Sequence, residues 1–445
     1  MDAVILTGGK GLRLGKVSKK TPKVLIKIDK KPILEHQINF LEKNNIKNIW
    51  ILSGHLGQKI DYFLNKIKNR KININHLIED SPLGTAGAIK TLEGKITTDF
   101  LVISGDVMFD IDLESFINFH NNKKDSIASL CVHPNDHPFD SDLIDIDTDG
   151  KVKKLLIRKG KTQPKNRVFR NLANASIYTF NPKIFKYIQK NRKCDLEKNI
   201  FPKILESKQN IYAYNTAEYI KDMGTPKRLK IVREDYQSGK IARQNKKNKQ
   251  KAIFLDRDGT LNMQDGIDDV RFNDFKLFPF TIDAIKKINQ SNYLVIVITN
   301  QPAIAKGFIS EEEIELIHKK LETELGGKGA IINGIYYCPH HPERGFRDEV
   351  KKLKIKCNCR KPDIGLIKKA AGDFNIDLKN SYFVGDTTID AKTAQNAGIK
   401  FIGVKTGFGL TDQKFQISKP LLIKKNLLSA INYISRFKEP SNSLS

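Results

Sequence analysis

The chain has 445 residues, 39% of them hydrophobic and 29% charged, with 77 Lys and Arg against 50 Asp and Glu for a net charge of +27. That length calls for two or three domains with ordinary cores, and no apolar run approaches the roughly 18–20 residues that cross a bilayer. The surplus Lys is scattered along the chain without a basic recognition helix, zinc-finger repeat or RNA-binding aromatic motif, so we expect no nucleic-acid partner.

The sequence begins at once with a strand-like run, DAVILTGG, and shows no apolar leader, which predicts a cytoplasmic protein. IKNIWILSG and FLVISGD are the next strand-like runs. Between the three, ILEHQINFLEK and QKIDYFLNKI space their apolar residues as helices do. A polar, basic stretch, SGKIARQNKKNKQK, separates this half from a second beginning at AIFLDRDGT. We therefore expect a first domain over 1–238, a linker at 239–250, a second domain over 251–436 and a disordered tail at 437–445. In the second half AIFLDRDG, YLVIVITN, GIYYCPH and SYFVGD read as strands, with TIDAIKKIN and EEEIELIHKKLETEL as helices. Strand–helix alternation predicts α/β domains with parallel sheets covered by helices on both faces. Ligands in such sheets sit beyond the carboxyl ends of the strands.

The first strand runs into Gly8, Gly9 and Gly11, which let the backbone turn tightly and offer N–H groups to phosphate oxygens. Arg13 adds a planar cationic fork. With Thr21-Pro22-Lys23 downstream, this resembles the G-G-x-G-x-R-L…P-K signature of sugar-1-phosphate nucleotidyltransferases. The resemblance runs through some 230 residues. It implies a nucleotide-binding segment at Gly84-Thr85-Ala86-Gly87, metal carboxylates at Asp106 and Asp222 (in Asp222-Met223-Gly224-Thr225-Pro226), and sugar contacts at Asn174, Glu197 and Lys198. Leu12 stands where Thr is common, and Ser176 where Gly is common. The implied reaction is attack of a sugar 1-phosphate on the α-phosphorus of a nucleoside triphosphate. Arg13 and Lys23 would offset transition-state charge while Mg²⁺ sits between the phosphates.

The strand AIFL delivers Asp256-Arg257-Asp258-Gly259-Thr260, which resembles the D-x-D-G-T signature of haloacid dehalogenase phosphatases. The resemblance implies Asp256 as nucleophile, Asp258 as acid and base, Thr299 as phosphate donor, Lys361 as the cation beside them, and Mg²⁺ held by Asp256, Asp258 and Asp386. Arg360 is expected at the sugar.

Five Cys are too few for a disulfide framework, yet three cluster. Cys338, His340, Cys357 and Cys359 form a closed set of four zinc ligands by type; His341 is the alternative histidine, and His340 is preferred by resemblance. The pattern is similar to the zinc loop of heptose bisphosphate phosphatases and histidinol-phosphate phosphatases, where it pins a loop.

Joined, the two resemblances imply a Rossmann-like nucleotidyltransferase domain followed by a haloacid dehalogenase domain with a zinc loop. The first half looks most like heptose 1-phosphate guanylyltransferases. The expected small molecules are GTP, heptose 1-phosphate and heptose 1,7-bisphosphate, with Mg²⁺ and Zn²⁺ as cofactors. Pro302-Ala303, where a Ser-Gly pair is common, keeps open a hexose 1-phosphate transferase joined to a phosphatase for histidinol phosphate or another small monoester. The sequence does not read out an oligomeric state.

Overall fold

The computed structural model describes residues 1–9, 11–15, 20–67, 70–158, 162–164, 167–264, 271–416 and 422–436. The tail expected at 437–445 lies outside them. They form two compact units. The first takes Met1–His133, Ser141–Gln163 and Leu172–Lys246; the second takes Pro134–Asp140, Pro164–Asn171 and the chain from 247 onward.

The sheet of the first unit is ordered Val152–Leu156, Leu143–Ile146, Ala173–Phe180, Phe100–Ser104, Asp2–Leu6, Asn48–Ser53, Asn73–Ile78. Four of these strands run parallel, with Asp2–Leu6 between Phe100–Ser104 and Asn48–Ser53. Ala3, Val4 and Ile5 are fully buried, as a strand covered on both faces requires. The wholly parallel sheet expected from strand–helix alternation is not what forms: Ala173–Phe180 lies antiparallel to Phe100–Ser104 and to Ser126–His133. Parallel neighbours need a long crossover, usually helical. Leu143–Ile146 and Val152–Leu156 are joined by a short turn and so must run antiparallel. The helices Ile33–Lys43 and Gly57–Lys66 fall on the predicted apolar spacing and bury Ile33, Leu34, Ile38 and Leu41, and Ile60 and Leu64.

The second unit has a six-stranded, all-parallel sheet ordered Gly334–Cys338, Tyr293–Asn300, Lys251–Leu255, Tyr382–Gly385, Lys400–Val404, Ile423–Lys424. The chain order reverses direction at Lys251–Leu255, the strand that carries AIFL. A crevice therefore opens where the neighbouring connections leave toward opposite faces. The helices Thr281–Asn289 and Glu311–Gly326 bury Ala284, Ile285 and Ile288, and Ile314, Ile317, Leu321 and Leu325. No helix among the described residues is long and apolar enough to cross a membrane.

Candidate functional sites

In the first unit the acids are placed by strand pairing. Tyr219–Asp222 pairs antiparallel with Val107–Asp110, setting Asp222 opposite Val107, and the Met223 N–H donates to the Asp106 carbonyl at 2.9 Å. Asp106 and Asp222 thus stand at neighbouring positions just beyond the end of Phe100–Ser104. Lys23 is almost buried and its ammonium pairs with Asp106. The Ser104 hydroxyl donates to the other Asp106 oxygen at 2.7 Å. Burial would raise the Asp222 carboxyl, but the Arg228 guanidinium at 2.8 Å, the Gly224 N–H at 2.7 Å and the charge of Lys23 outweigh it and hold it below its usual range. Arg13 completes the group: a methyl built on Gly224 would come within 2.7 Å of its guanidinium. Arg13, Lys23, Asp106 and Asp222 are therefore brought together: two carboxylates whose oxygens could hold Mg²⁺, beside two cations suited to phosphate oxygens.

Gly8 and Gly9 follow the central strand. Gly11 has φ +62°, a conformation that costs a side chain about 1–2 kcal/mol. Among the described residues, a methyl on Gly9 would meet nothing within 4 Å. Gly84 and Thr85 open the helix Gly84–Lys90, and Thr85 Oγ1 accepts from Leu196 N at 2.8 Å. Gly84 has φ +74°, and a methyl there would come within 3.0 Å of the Cys194 carbonyl carbon. The pair thus ties the helix to the turn that carries Glu197. Glu197 and Lys198 lie on the π-helical turn Leu196–Ile200. Lys198 is exposed, whereas Glu197 accepts from Tyr178 Oη at 2.6 Å and its carboxyl is raised by burial. Asn174 donates to Tyr178 Oη at 2.8 Å. Asn174 and Glu197 line one cleft with Asp142, Leu155, Ile157 and Phe201.

The motifs did not single out Glu79 or Arg228. A methyl on Gly8 would lie 3.9 Å from Glu79 Oε2, and that oxygen accepts from Leu83 N at 3.2 Å. Glu79 thus stands between the glycine turn and the Gly84-Thr85 segment, its carboxyl raised by burial. An acid five residues before Gly84 was the signal available.

In the second unit, Asp256, Asp386 and Asp390 are buried and offer oxygens within 4.8 Å of one another, the first two just beyond parallel strand ends and the third in the first turn of the following helix. Lys361 Nζ bridges Asp256 at 2.7 Å and Asp390 at 2.6 Å. Burial alone would lower this ammonium, but the two carboxylates outweigh it and raise it. Burial and the charge of Asp390 push Asp256 up to about 7; burial and the charges of Asp256 and Asp390 push Asp386 up to about 8. Acids crowded to this degree fit a divalent cation. Asp390 is placed by a capping box with Thr387 at the start of the helix Thr388–Ala397. Gly259 has φ +75°, and a Cβ there would overlap the Asp386 carboxylate, so the D-x-D-G-T glycine is required twice over.

Asp258 is expected as a Mg²⁺ ligand; its carboxylate lies outside the gathered group of three acids and is held by neighbouring side chains. Arg257 donates to both of its oxygens at 3.0 and 2.8 Å, Asn262 at 3.0 Å and Gln301 at 2.8 Å. Burial would raise it, yet Arg257 and the amides hold it below its usual range. Asp390 is the third acid at the cluster. Thr299 is buried and its hydroxyl accepts from Gln301 at 2.8 Å, leaving its hydrogen to donate. Asn300 grips the Lys361 backbone from both sides, at 2.9 and 3.1 Å.

Cys338, His340, Cys357 and Cys359 are gathered as expected. His340 Nδ1 lies 3.1 Å from Cys359 Sγ, and the sulfur separations are 3.1, 3.2 and 3.6 Å. A tetrahedral zinc with bonds of about 2.0–2.3 Å sets its ligands roughly 3.5–3.8 Å apart, so this set could hold zinc once its closest pairs widen by roughly half an ångström or slightly more. His341 instead packs edge-on against Phe346 at 5.9 Å. Arg360 donates to the His340 carbonyl at 3.3 Å, tying the strand of ligands to Lys361.

The "Nucleotidyl transferase" family model matches residues 2–239, and a "HAD-hydrolase-like" model matches 358–430. The D-glycero-beta-D-manno-heptose-1,7-bisphosphate 7-phosphatase of Haemophilus ducreyi is 36% identical over 187 residues, covering 42% of this chain and 98% of its own. The protein of the same name from Escherichia coli K12 is 36% identical over 164 residues, covering 36% of this chain and 83% of its own. Among solved structures, HddC from Yersinia pseudotuberculosis complexed with GMP-PN is 27% identical, covers 53% of this chain and 99% of that one, and superposes with a TM-score of 0.45.

Proposed function

We propose, for a chain that belongs to the nucleotidyl transferase family in its first unit and to the D-glycero-beta-D-manno-heptose-1,7-bisphosphate 7-phosphatase family in its second, a two-reaction path from a sugar bisphosphate to a nucleotide-activated sugar. The chain is a transferase joined to a phosphatase. We assign to the second unit removal of the 7-phosphate of D-glycero-α-D-manno-heptose 1,7-bisphosphate, and to the first unit transfer of GMP from GTP onto the remaining 1-phosphate. The products are GDP-heptose and pyrophosphate. A reaction that consumes nucleoside triphosphate belongs in the cytoplasm. The phosphatase relatives are named for the β-anomer; the α-anomer is proposed here because the first half resembles guanylyltransferases of that series.

The observation that carries this reading is a repeated one. In each unit a buried lysine neutralises carboxylates beyond the central parallel strands: Lys23 on Asp106, and Lys361 on Asp256 and Asp390. In the phosphatase, Asp256 attacks phosphorus, Lys361 steadies the transferring oxygens and Thr299 donates to one of them. Asp258 protonates the departing alcohol and then takes a proton from water. Because Arg257 keeps Asp258 ionised at rest, the first proton arrives with the substrate as phosphate monoanion, whose remaining proton has a pKa near 6. Asp256, Asp386 and Asp390 would hold Mg²⁺, which offsets charge on the phosphoryl oxygens. In the transferase, Arg13 and Lys23 offset charge as pyrophosphate departs, and Asp106 and Asp222 would hold Mg²⁺ against the phosphates. Guanine fits Glu79: among the bases it alone presents adjacent N1–H and N2–H donors, which a carboxylate accepts as a pair.

The test is a stepwise assay on the full chain. Each anomer of heptose 1,7-bisphosphate is supplied with Mg²⁺, with and without each nucleoside triphosphate, and products are weighed. Phosphate release without nucleotide, and a GDP-sugar from the α-anomer with GTP alone, are expected. Glu79→Gln should cut the preference for GTP over ATP in kcat/KM by about 10–100-fold, the worth of a hydrogen bond to a charged group. Phosphate release from histidinol phosphate in place of the heptose compound would overturn the substrate assignment.

A further inference from the structure

His318 belongs to none of the motifs. It lies on the helix Glu311–Gly326, fully buried, with Nε2 3.2 Å from Nη1 of Arg257. A guanidinium has only donors, so Nε2 accepts and the ring is neutral with its hydrogen on Nδ1. The surroundings agree: burial, then the charges of Arg257 and Arg170, push its protonation well below the usual range. Tyr337 packs against the ring at 5.3 Å, and Glu322, one turn along the helix, faces Arg170 at 3.6 Å. Nδ1 is buried without a hydrogen-bond partner among the described residues. A stranded buried N–H is rare and costly, and asks for a reason.

The reason is on the other nitrogen. Arg257 is 1% exposed and grips both Asp258 oxygens through Nε and Nη2, while Nη2 also donates to Gln301 Oε1 at 3.0 Å. His318 is the anchor on the far side of the guanidinium. We propose that His318 is a positioning residue of the phosphatase site, holding Arg257 square against Asp258 and so fixing where Asp258 stands when it exchanges its proton. This rests on the reading of Asp258 as acid and base. In the first step the Asp256–phosphorus bond forms and the phosphorus–alcohol bond breaks. The electron pair stays on the alcohol oxygen, which takes the Asp258 proton. In the second, water oxygen bonds phosphorus, its proton returns to Asp258 and Asp256 leaves with its electron pair.

The leaving group supplies the test. An alkyl phosphate needs that proton; 4-nitrophenyl phosphate, with a stable phenolate, does not. For both, kcat/KM covers the steps through departure of the leaving group. In the full Mg²⁺-loaded chain, His318→Leu should lower kcat/KM about 10–100-fold on the sugar bisphosphate, the scale of a misplaced reacting group, and less than about threefold on 4-nitrophenyl phosphate. His318→Gln, whose Oε1 can accept from Arg257, should recover to within about threefold of the parent. If His318→Leu does not fold, His318→Met replaces it. Equal falls on both substrates, no fall, or no recovery with Gln would overturn the proposal. Asp258→Asn runs in parallel: a leaving-group split there but not at His318 sinks His318 alone, whereas no split at Asp258 sinks the acid–base reading itself.

Discussion

The phosphatase acids sit in an environment that disfavours their charge, and this sets a pH dependence. Asp256 and Asp386 are pushed up to about 7 and 8, chiefly by burial and by one another's neighbours. A carboxyl raised on folding binds protons better folded than unfolded, so its contribution to stability is complete at low pH and is lost as pH rises through the folded value. Without Mg²⁺ we expect the thermal midpoint of the second unit to fall by on the order of 5 °C between pH 6 and 8.5. Added Mg²⁺ should raise it, and by more at pH 8.5, because metal favours the ionised acids. Differential scanning fluorimetry at the two pH values decides; a Mg²⁺ effect that shrinks with pH would mean that these acids do not bind it. A single residue also explains a departure from the family pattern. Ser176, where Gly is common, has φ +56° at a bulge in Ala173–Phe180, steadied by Asn174 Oδ1 accepting from its N–H at 3.1 Å.

At the scale of an element, the segment from Cys338 to Cys359 has little core of its own: Lys351–Leu353 is a 3-10 turn with no buried residue. Its four candidate ligands would be the crosslink with zinc bound, and Arg360 and Lys361 follow the last one directly. Cys357→Ser should bring metal content down from about one zinc per chain and cut phosphate release about tenfold or more, through the lost placement of Lys361, while transfer to supplied heptose 1-phosphate is unchanged. Metal analysis and the two assays check it; full phosphate release with the zinc gone would show that the loop does not position the lysine. The helices were legible because their apolar spacing is local: Ile33–Lys43 and Thr281–Asn289 match the predicted runs end to end. The antiparallel course of Ala173–Phe180 was not legible, since pairing direction depends on which strands meet and how the chain returns, not on the residues of one strand.

For the molecule as a whole, the proposed assignment puts the two reactions on separate side chains, which lie in separate units. Asp256→Asn should abolish phosphate release from the bisphosphate and leave transfer to supplied heptose 1-phosphate intact; Asp106→Asn should do the reverse. Loss of both reactions from either change, in a folded chain, would break the assignment of one site to each unit.

Read alone, the sequence determined the two α/β units, the glycine turns, the acids at strand ends and the cysteine cluster. Each is written in residue type and short spacing, because a strand end, a tight turn and a closed ligand set impose local requirements. Tertiary structure alone decided the partners. Asp258 is paired with Arg257, and Asp390 joins Asp256 through Lys361. Glu79 reaches the glycine turn, and Arg228 closes on Asp222. Charges far apart in the chain become neighbours only when sheets bring their ends together, and in a buried crevice the neighbour settles which acid stays ionised.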